Sequence, residues 1–242
     1  MNWIVCPVRA GLEMTVAAVE SFLNQDLGDV RVLLYMNSDD DGLLYNLGDR
    51  YGENLYVAMI PSSGNESVSR CWNSTLGMLF DDGETYALVC NNDIELRKEA
   101  YRLLISDGGD FVTGIGDADR ERVFSGESDP SRRRPHPDFS CYFIRKGAWE
   151  KTGPFDEQFT PAYCEDCDYH IRMHQAGVEA YSIAVPFYHR VSGTMKHLTE
   201  DEQRRIHEAA HLNRQRFQAK WGCQPGDARY YQYFQEPAAC SR

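Results

Sequence analysis

No run in this chain approaches the roughly 18 to 20 consecutive apolar residues of a membrane-spanning helix, so nothing in it reads as a transmembrane segment. Positive charge is also short. There are 25 lysines and arginines against 37 acids, a formal net charge of −12. A protein whose main affinity comes from phosphate backbones needs a basic face, and the bulk composition offers none. Arg132, Arg133 and Arg134 form the one concentrated exception. Eight cysteines in 242 residues do not make a dense disulfide framework. Cys6 and Cys90 end apolar, strand-like runs, the usual setting of a buried free thiol. All or nearly all of the eight are expected to be reduced. Internal repeats and low-complexity tracts are missing. The first residues, Met1 to Pro7, lack the basic region of a signal peptide and read as a strand. The expected location is cytoplasmic, with the membrane periphery or a host cytoplasm as variants of it.

What is present is an apolar fraction of 42%, enough for the core of one large α/β domain or two small ones. The first half alternates strand and helix. Strands are predicted at Trp3 to Val8, Val30 to Met36, Leu55 to Ile60 and Tyr86 to Cys90. Between them, Leu12 to Asn24 carries apolar residues at helical spacing, and Leu43 to Tyr51 and Asn65 to Phe80 read as further helices. Short links between such units imply a mostly parallel central sheet with flanking helices. In open sheets of this class ligands bind at the carboxyl ends of the strands. That directs attention to Pro7 to Gly11, Asn37 to Gly42, Ser62 to Arg70 and Asn91 to Asp93. In the second half, strands are predicted at Phe111 to Gly114, Phe139 to Ile144 and Tyr181 to Val185. Helices are predicted at Lys146 to Thr152, Asp166 to Ala176 and Thr199 to Trp221, the last opened by a capping pattern. Asp117 to Pro137 reads as a long charged loop, uncommon unless functional or mobile.

The densest chemistry lies between Gly153 and His189. Glu165, Asp166 and Asp168 place three carboxylates within four residues. Their mutual repulsion raises at least one pKa toward a range useful for proton transfer. Such a cluster suits holding a metal, removing a proton, or both. Acids in the first turn of a helix are the plainer account, and it suffices for one or two of them.

Several segments resemble the family 2 glycosyltransferases of the GT-A fold, most closely the bacterial rhamnosyltransferase-like branch. Val5 to Arg9 with Ser21 to Gln25 looks like the family's opening. Asn37 to Gly42 stands at its asparagine-rich loop. Leu88-Val89-Cys90-Asn91-Asn92-Asp93 is similar to its Asp-x-Asp or Asn-x-Asp strand end. Gly153 to Glu157, Glu165-Asp166-Cys167-Asp168 and His189 follow its acceptor-side signature in order and spacing, and Lys220-Trp221-Gly222 resembles a common ending. The likeness runs from Trp3 to about Trp221.

The resemblance implies an inverting, metal-dependent transfer of a sugar from a nucleotide-diphosphate donor of UDP, GDP or dTDP type to a hydroxyl group. The implied division is 1–97 for the donor, 98–198 for the acceptor and 199–242 for a terminal helix and tail. Asp93 and His189 would hold Mn²⁺ or Mg²⁺, hard cations that take oxygen ligands, with imidazole better suited to Mn²⁺. Pro7, Arg9, Asn37, Asp39, Arg70, Asn91 and Asn92 would line the donor site. Asp166 would be the base, with Glu165 beside it, and Asp168, Arg133 and Trp149 would meet the acceptor. The departure from Asp-x-Asp at Asn91 leaves that residue between metal, ribose and metal-bound water. For Asn91 to Asp93 the plainer alternative is a helix cap; for His189 it is an ordinary loop histidine.

Three other readings stay open. The arginine run suggests an anionic acceptor, so the acceptor is a glycan, a lipid-linked glycan or a hydroxymethylated nucleobase in DNA of the phage kind. A non-catalytic sugar-nucleotide or glycan-binding module on the same fold is a separate class. Cys164, Cys167, His170 and His174 are spaced like zinc ligands. On one helix, however, the first and last lie about 15 Å apart along the axis, too far for a single ion.

Overall fold

The computed structural model describes residues 1–234; the end of the predicted 199–242 tail lies outside them. One nine-stranded sheet organises the chain. Its strands are β1 (Asn2–Val8), β2 (Val30–Met36), β3 (Val57–Pro61), β4 (Tyr86–Cys90), β5 (Ile94–Leu96), β6 (Phe111–Asp117), β7 (Asp129–Arg134), β8 (Cys141–Arg145) and β9 (Ala180–His189). The helices are α1 (Leu12–Leu23), α2 (Asp41–Tyr51), α3 (Val68–Asp81), α4 (Ala100–Ser106), α5 (Arg120–Ser125), α6 (Lys146–Thr152), α7 (Glu165–Gln175), α8 (Glu200–Trp221) and α9 (Ala228–Gln232). Strand order is β3-β2-β1-β4-β8-β6-β9-β5, with β7 paired to β9.

Period-two alternation splits the strands between two faces. Ile4, Cys6 and Val8 of β1 join α1 and α2 on one face, while Val5 joins Trp72, Leu76 and Phe80 of α3 on the other. A third, smaller core of Phe159, Ile171, Phe217, Cys223 and Tyr230 fastens the end of α8 and α9 to α7. Each fully buried large apolar side chain of this kind contributes about 1.5–3 kcal/mol.

Strand direction brings the functional segments together. β3, β2, β1 and β4 run parallel, so their carboxyl ends share one edge. β8 is antiparallel to β4, which puts the residues just before β8 at that same edge. β6 is antiparallel to β8 and parallel to β9, so the ends of β6 and β9 arrive there too.

The predicted loop from Asp117 to Pro137 is instead α5 and β7, and β6 itself runs on to Asp117. Both added elements lack an apolar period. α5 buries only Val123, and β7 is an edge strand with no fully buried residue. β9 extends to His189 rather than stopping at Val185, carrying Pro186 opposite Ile115 of β6 beside a register shift. β5 and α4 had no counterpart in the sequence reading.

Candidate active site

Asp93 ends the three-residue link between β4 and β5 and is followed by a strand, not by a helix, which removes the helix-cap account of this acid. It is 6% exposed. Its Oδ2 accepts from the Gly193 N–H at 3.2 Å, and its backbone carbonyl accepts from the Arg190 N–H at 2.9 Å. Its Oδ1 is buried without a hydrogen-bond partner and lies 3.6 Å from His189 Nε2. A Cβ on Gly193 would come within 2.8 Å of the Asp93 Cβ, so only a glycine lets this loop close over the acid. Burial works to lower the His189 pKa, but the neighbouring Asp93 carboxylate outweighs it and raises the imidazole above its ordinary value.

An orphaned buried carboxylate oxygen beside an imidazole nitrogen fits a divalent cation. The described residues hold no cluster of three or more potential ligands. Asp93 and His189 would be two ligands for such an ion, and hard cations commonly complete their shells with water and phosphate oxygens. An open cavity of 360 Å³ adjoins His189, with Met14, Arg190, Lys196 and His197 in its wall. A second cavity of 510 Å³ lies between His211 and Gln224, away from every converging acid.

The neighbours of Asp93 divide. Asn91 is half-buried and donates its backbone N–H to Ser140 at 2.9 Å. Asn92, expected at the donor, turns inward. Its amide donates to the Ala10 carbonyl at 2.9 Å and Thr15 Oγ1 at 2.8 Å, tying the β4 end to the loop after β1. Asn37 behaves alike. Its Oδ1 accepts from the Glu66 N–H at 2.8 Å and its Nδ2 donates to the Glu66 carbonyl at 2.9 Å, so it braces the loop between β3 and α3. Their side chains are spent on the scaffold because both are buried, where an unmet amide costs on the order of 1–3 kcal/mol.

Pro7 lies in β1 opposite Tyr35. Arg9 reaches Asp39 at 3.2 Å and Glu202 of α8 at 2.9 Å, linking the ends of β1 and β2 to the terminal helix. Hydrogen bonds from Asn65, then from the backbone, with Arg9 adding its charge, hold the Asp39 carboxyl below the usual carboxylate range. Arg70 is largely exposed, 3.7 Å from Glu66 and 4.0 Å from Glu157.

The acids of α7 fall into three environments. Asp166 is half-buried at the helix start. Burial first, and then the charge of Asp138, push its carboxyl above the usual range against the opposing pull of the Cys167 N–H. Glu165 is 7% exposed with Oε2 unpartnered. Burial and the Asp166 charge raise it well above the ordinary glutamate value. Asp168, expected to meet the acceptor, is fully buried and accepts from Arg172 at 2.8 Å, Lys220 at 2.7 Å and Trp221 Nε1 at 2.9 Å. It clasps α8 to α7 and has no surface to offer an acceptor.

The upstream Phe155-Asp156-Glu157 motif belongs to the same clasp. Asn73 of α3 accepts from the Phe155 N–H at 2.8 Å and donates to its carbonyl at 2.9 Å. Asp156 accepts from Lys220 at 2.5 Å. Between this clasp and Asp166 the chain passes through Tyr163 and Cys164 at φ 77° and 75°. Side-chain-bearing residues held there cost on the order of 1–3 kcal/mol each, and such strain persists only where the surroundings impose it.

Asp138, just before β8, went unnoticed in the sequence as a site residue. Its oxygens accept from the Gly116 N–H at 3.1 Å and the Ser140 N–H at 3.0 Å. Its charge acts on both His189 and Asp166, which couples the β9 end to the start of α7. Like Asp93, it is an acid at a loop–strand boundary, which was its only sequence signal.

Two acceptor expectations fail on location. Trp149 of α6 packs half-buried against Phe80 and Phe155, with ring centroids 6.2 and 6.3 Å away, as part of the core. Arg133 pairs with Asp107 at 3.2 Å and covers the Tyr181 ring at 4.2 Å. In register it opposes Ile183, six residues before His189 and so about 20 Å along β9.

No protein-family model and no characterised protein sequence matches this chain. Solved structures do. Staphylococcus aureus TarS superposes with TM-score 0.58 at 14% identity, over 79% of this chain. GalNAc-T7, crystallised with UDP, GalNAc and Mn²⁺, superposes with TM-score 0.63 at 12% identity over 78%. The mannosyltransferase PcManGT of Pyrobaculum calidifontis, in complex with GDP-Man and Mn²⁺, does so with TM-score 0.57 at 10% identity over 78%. The chain covers 37%, 43% and 56% of their respective lengths. At such identities the likeness establishes architecture, and with the strand order and strand-end convergence above it identifies the chain's fold as that of the GT-A glycosyltransferases.

Proposed function

We propose that this domain is a metal-dependent, inverting glycosyltransferase that moves a sugar from a nucleotide-diphosphate donor to a hydroxyl of a glycan or lipid-linked glycan. The observation that carries this reading is one juxtaposition at a single sheet edge. His189, against the orphaned oxygen of Asp93, and Asp166, with a raised carboxyl, both feel the charge of Asp138 just before β8. The first pair suits binding and the second suits proton removal. GalNAc-T7 with UDP and Mn²⁺ and PcManGT with GDP-Man and Mn²⁺ support the same assignment by fold.

Asp93 and His189 would hold Mn²⁺ or Mg²⁺, which when bound neutralises the charge of a departing diphosphate. Asp166 takes the proton of the incoming hydroxyl as that oxygen attacks the anomeric carbon from the face opposite the leaving group. A carboxyl poised above its usual range suits this general-base work. Arg190 and Lys196 in the adjoining cavity wall offer positive charge to phosphate oxygens, and charge-assisted bonds of that kind are the strong ones. The arginine run that favoured a DNA acceptor stands about 20 Å from this edge along β9, so no observation favours that reading.

The test is a thermal-shift panel of UDP, GDP and dTDP with and without Mn²⁺, since a specific ligand raises apparent stability by mass action. One nucleotide should stabilise the protein in a Mn²⁺-dependent way, and its sugar conjugate should be turned over. Metal-independent binding, or binding with no turnover of any donor, would replace this reading with that of a binding module.

A further inference from the structure

Glu165 stands immediately before the acid assigned as base, yet it is built unlike a catalytic group. It is 7% exposed, and its Oε2 finds no donor among the described residues. The titratable groups that act on one another there are Asp166 on its own helix, Tyr142 of β8 and Cys164 in the preceding turn. No cation is among the groups that move Glu165; Arg214 of α8 acts on the neighbouring Cys164. A carboxylate buried without a cation and with an unmet oxygen is costly, and such groups keep their proton instead. The backbone also bears on this site. The Tyr163 and Glu165 backbone pulls the Glu165 carboxyl down, but the larger effects of burial and the Asp166 charge prevail, and Tyr163 and Cys164 are the two consecutive residues at φ 77° and 75°.

We propose that Glu165 is a positioning residue. Its buried carboxyl acts as a neutral acid that props the left-handed Tyr163–Cys164 turn, and it leaves Asp166 as the ionised acid at the start of α7. This rests on the reading of Asp166 as the base, but its physical content is independent of any turnover. A neutral prop is replaced well by an amide and poorly by a methyl group. Glu165→Gln preserves shape and hydrogen-bonding capacity, whereas Glu165→Ala leaves the turn unsupported and displaces the neighbouring acid.

Two measurements decide it. The first needs no substrate. The native state holds a proton that the unfolded chain releases above a glutamate pKa of about 4.3. Glu165 therefore gives its full contribution to stability below that pH and loses it as pH rises toward the raised native value. The Tm of Glu165→Gln relative to the parent should thus rise steadily from about pH 4 upward. A ¹³C-labelled glutamate spectrum of the unmutated protein should show one carboxyl still protonated at pH 7. A Tm difference that falls with pH, or a fully ionised set of glutamates, overturns the proposal.

The second is turnover of the donor found in the nucleotide panel. Glu165→Gln should retain most of it. Glu165→Ala should lose about 100-fold in kcat with donor KM unchanged, the scale of a misplacement near 1 Å. Equal loss in both variants would make Glu165 a proton-transfer group and contradict the assignment. If the unmutated protein turns over no donor, the glycosyltransferase reading falls, while the stability and spectroscopic arms still judge Glu165.

Discussion

The two acidic centres at the sheet edge are opposites in their surroundings. Asp93 is 6% exposed and faces an imidazole, His189, at 3.6 Å. Asp166 and Glu165 face burial and one another, with no cation to relieve them. One carboxylate lies against a group that also ligates metals. The other is pushed toward the range where it exchanges protons. On the proposed reading the same side-chain chemistry serves two tasks, and what separates them is the neighbouring charge and the backbone that delivers each acid. Asp93 arrives on a rigid strand end under Gly193. Asp166 arrives on a strained turn held from behind by the Asp156–Lys220–Asp168 clasp.

The comparison breaks most readily at Asp166. Asp166→Asn should lower turnover by about 10²–10⁴-fold, the contribution of a positioned base, with donor affinity retained. Equal loss of donor binding would show that both centres serve the donor. If Asp166 is the base proposed, the rate of the unmutated protein should rise with pH through a carboxyl titration displaced upward from about 3.9, because a base works only when ionised and burial has raised this carboxyl. A pH–rate profile with its acid limb at the ordinary aspartate value contradicts this.

The clasp should fail next. Asp168→Ala leaves Arg172 and Lys220 without their buried partner, and should cost about 3–5 kcal/mol of stability in denaturant unfolding. A loss below 1 kcal/mol would return Asp168 to consideration as an acceptor contact. At the small end, Arg133→Ala should change stability by no more than about 1 kcal/mol, since the Arg133 side chain is half-exposed, the buried Asp107 keeps the Tyr181 hydroxyl as a partner, and solvent-open pairs contribute little. It should leave turnover of a glycan acceptor unchanged. A drop in turnover would bring the arginine run back to the acceptor.

Much of this was legible in the residues. β2, β4 and α6 stand at their predicted bounds, because each has a clear apolar period and turn residues at its ends. Asp93, His189 and Asp166 were singled out by their likeness to the family's motifs, and the structure sets His189 Nε2 3.6 Å from Asp93 and Asp166 at the start of α7. What escaped was set by tertiary pairing. β7 shows no apolar alternation and exists through its bonding to β9. Asn37, Asn92 and Asp168 have the composition of contact residues, yet burial spends them on the scaffold. Asp138 was hidden because only the antiparallel course of β8 brings it to the edge.

The division of labour is tested most directly by measuring Mn²⁺-dependent nucleoside-diphosphate affinity and single-turnover rate side by side in Asp93→Asn and Asp166→Asn. The account predicts that Asp93→Asn loses metal-dependent affinity, while Asp166→Asn binds as the parent does and fails only in the chemical step. Intact Mn²⁺-dependent binding in Asp93→Asn, or unimpaired chemistry in Asp166→Asn, would contradict it.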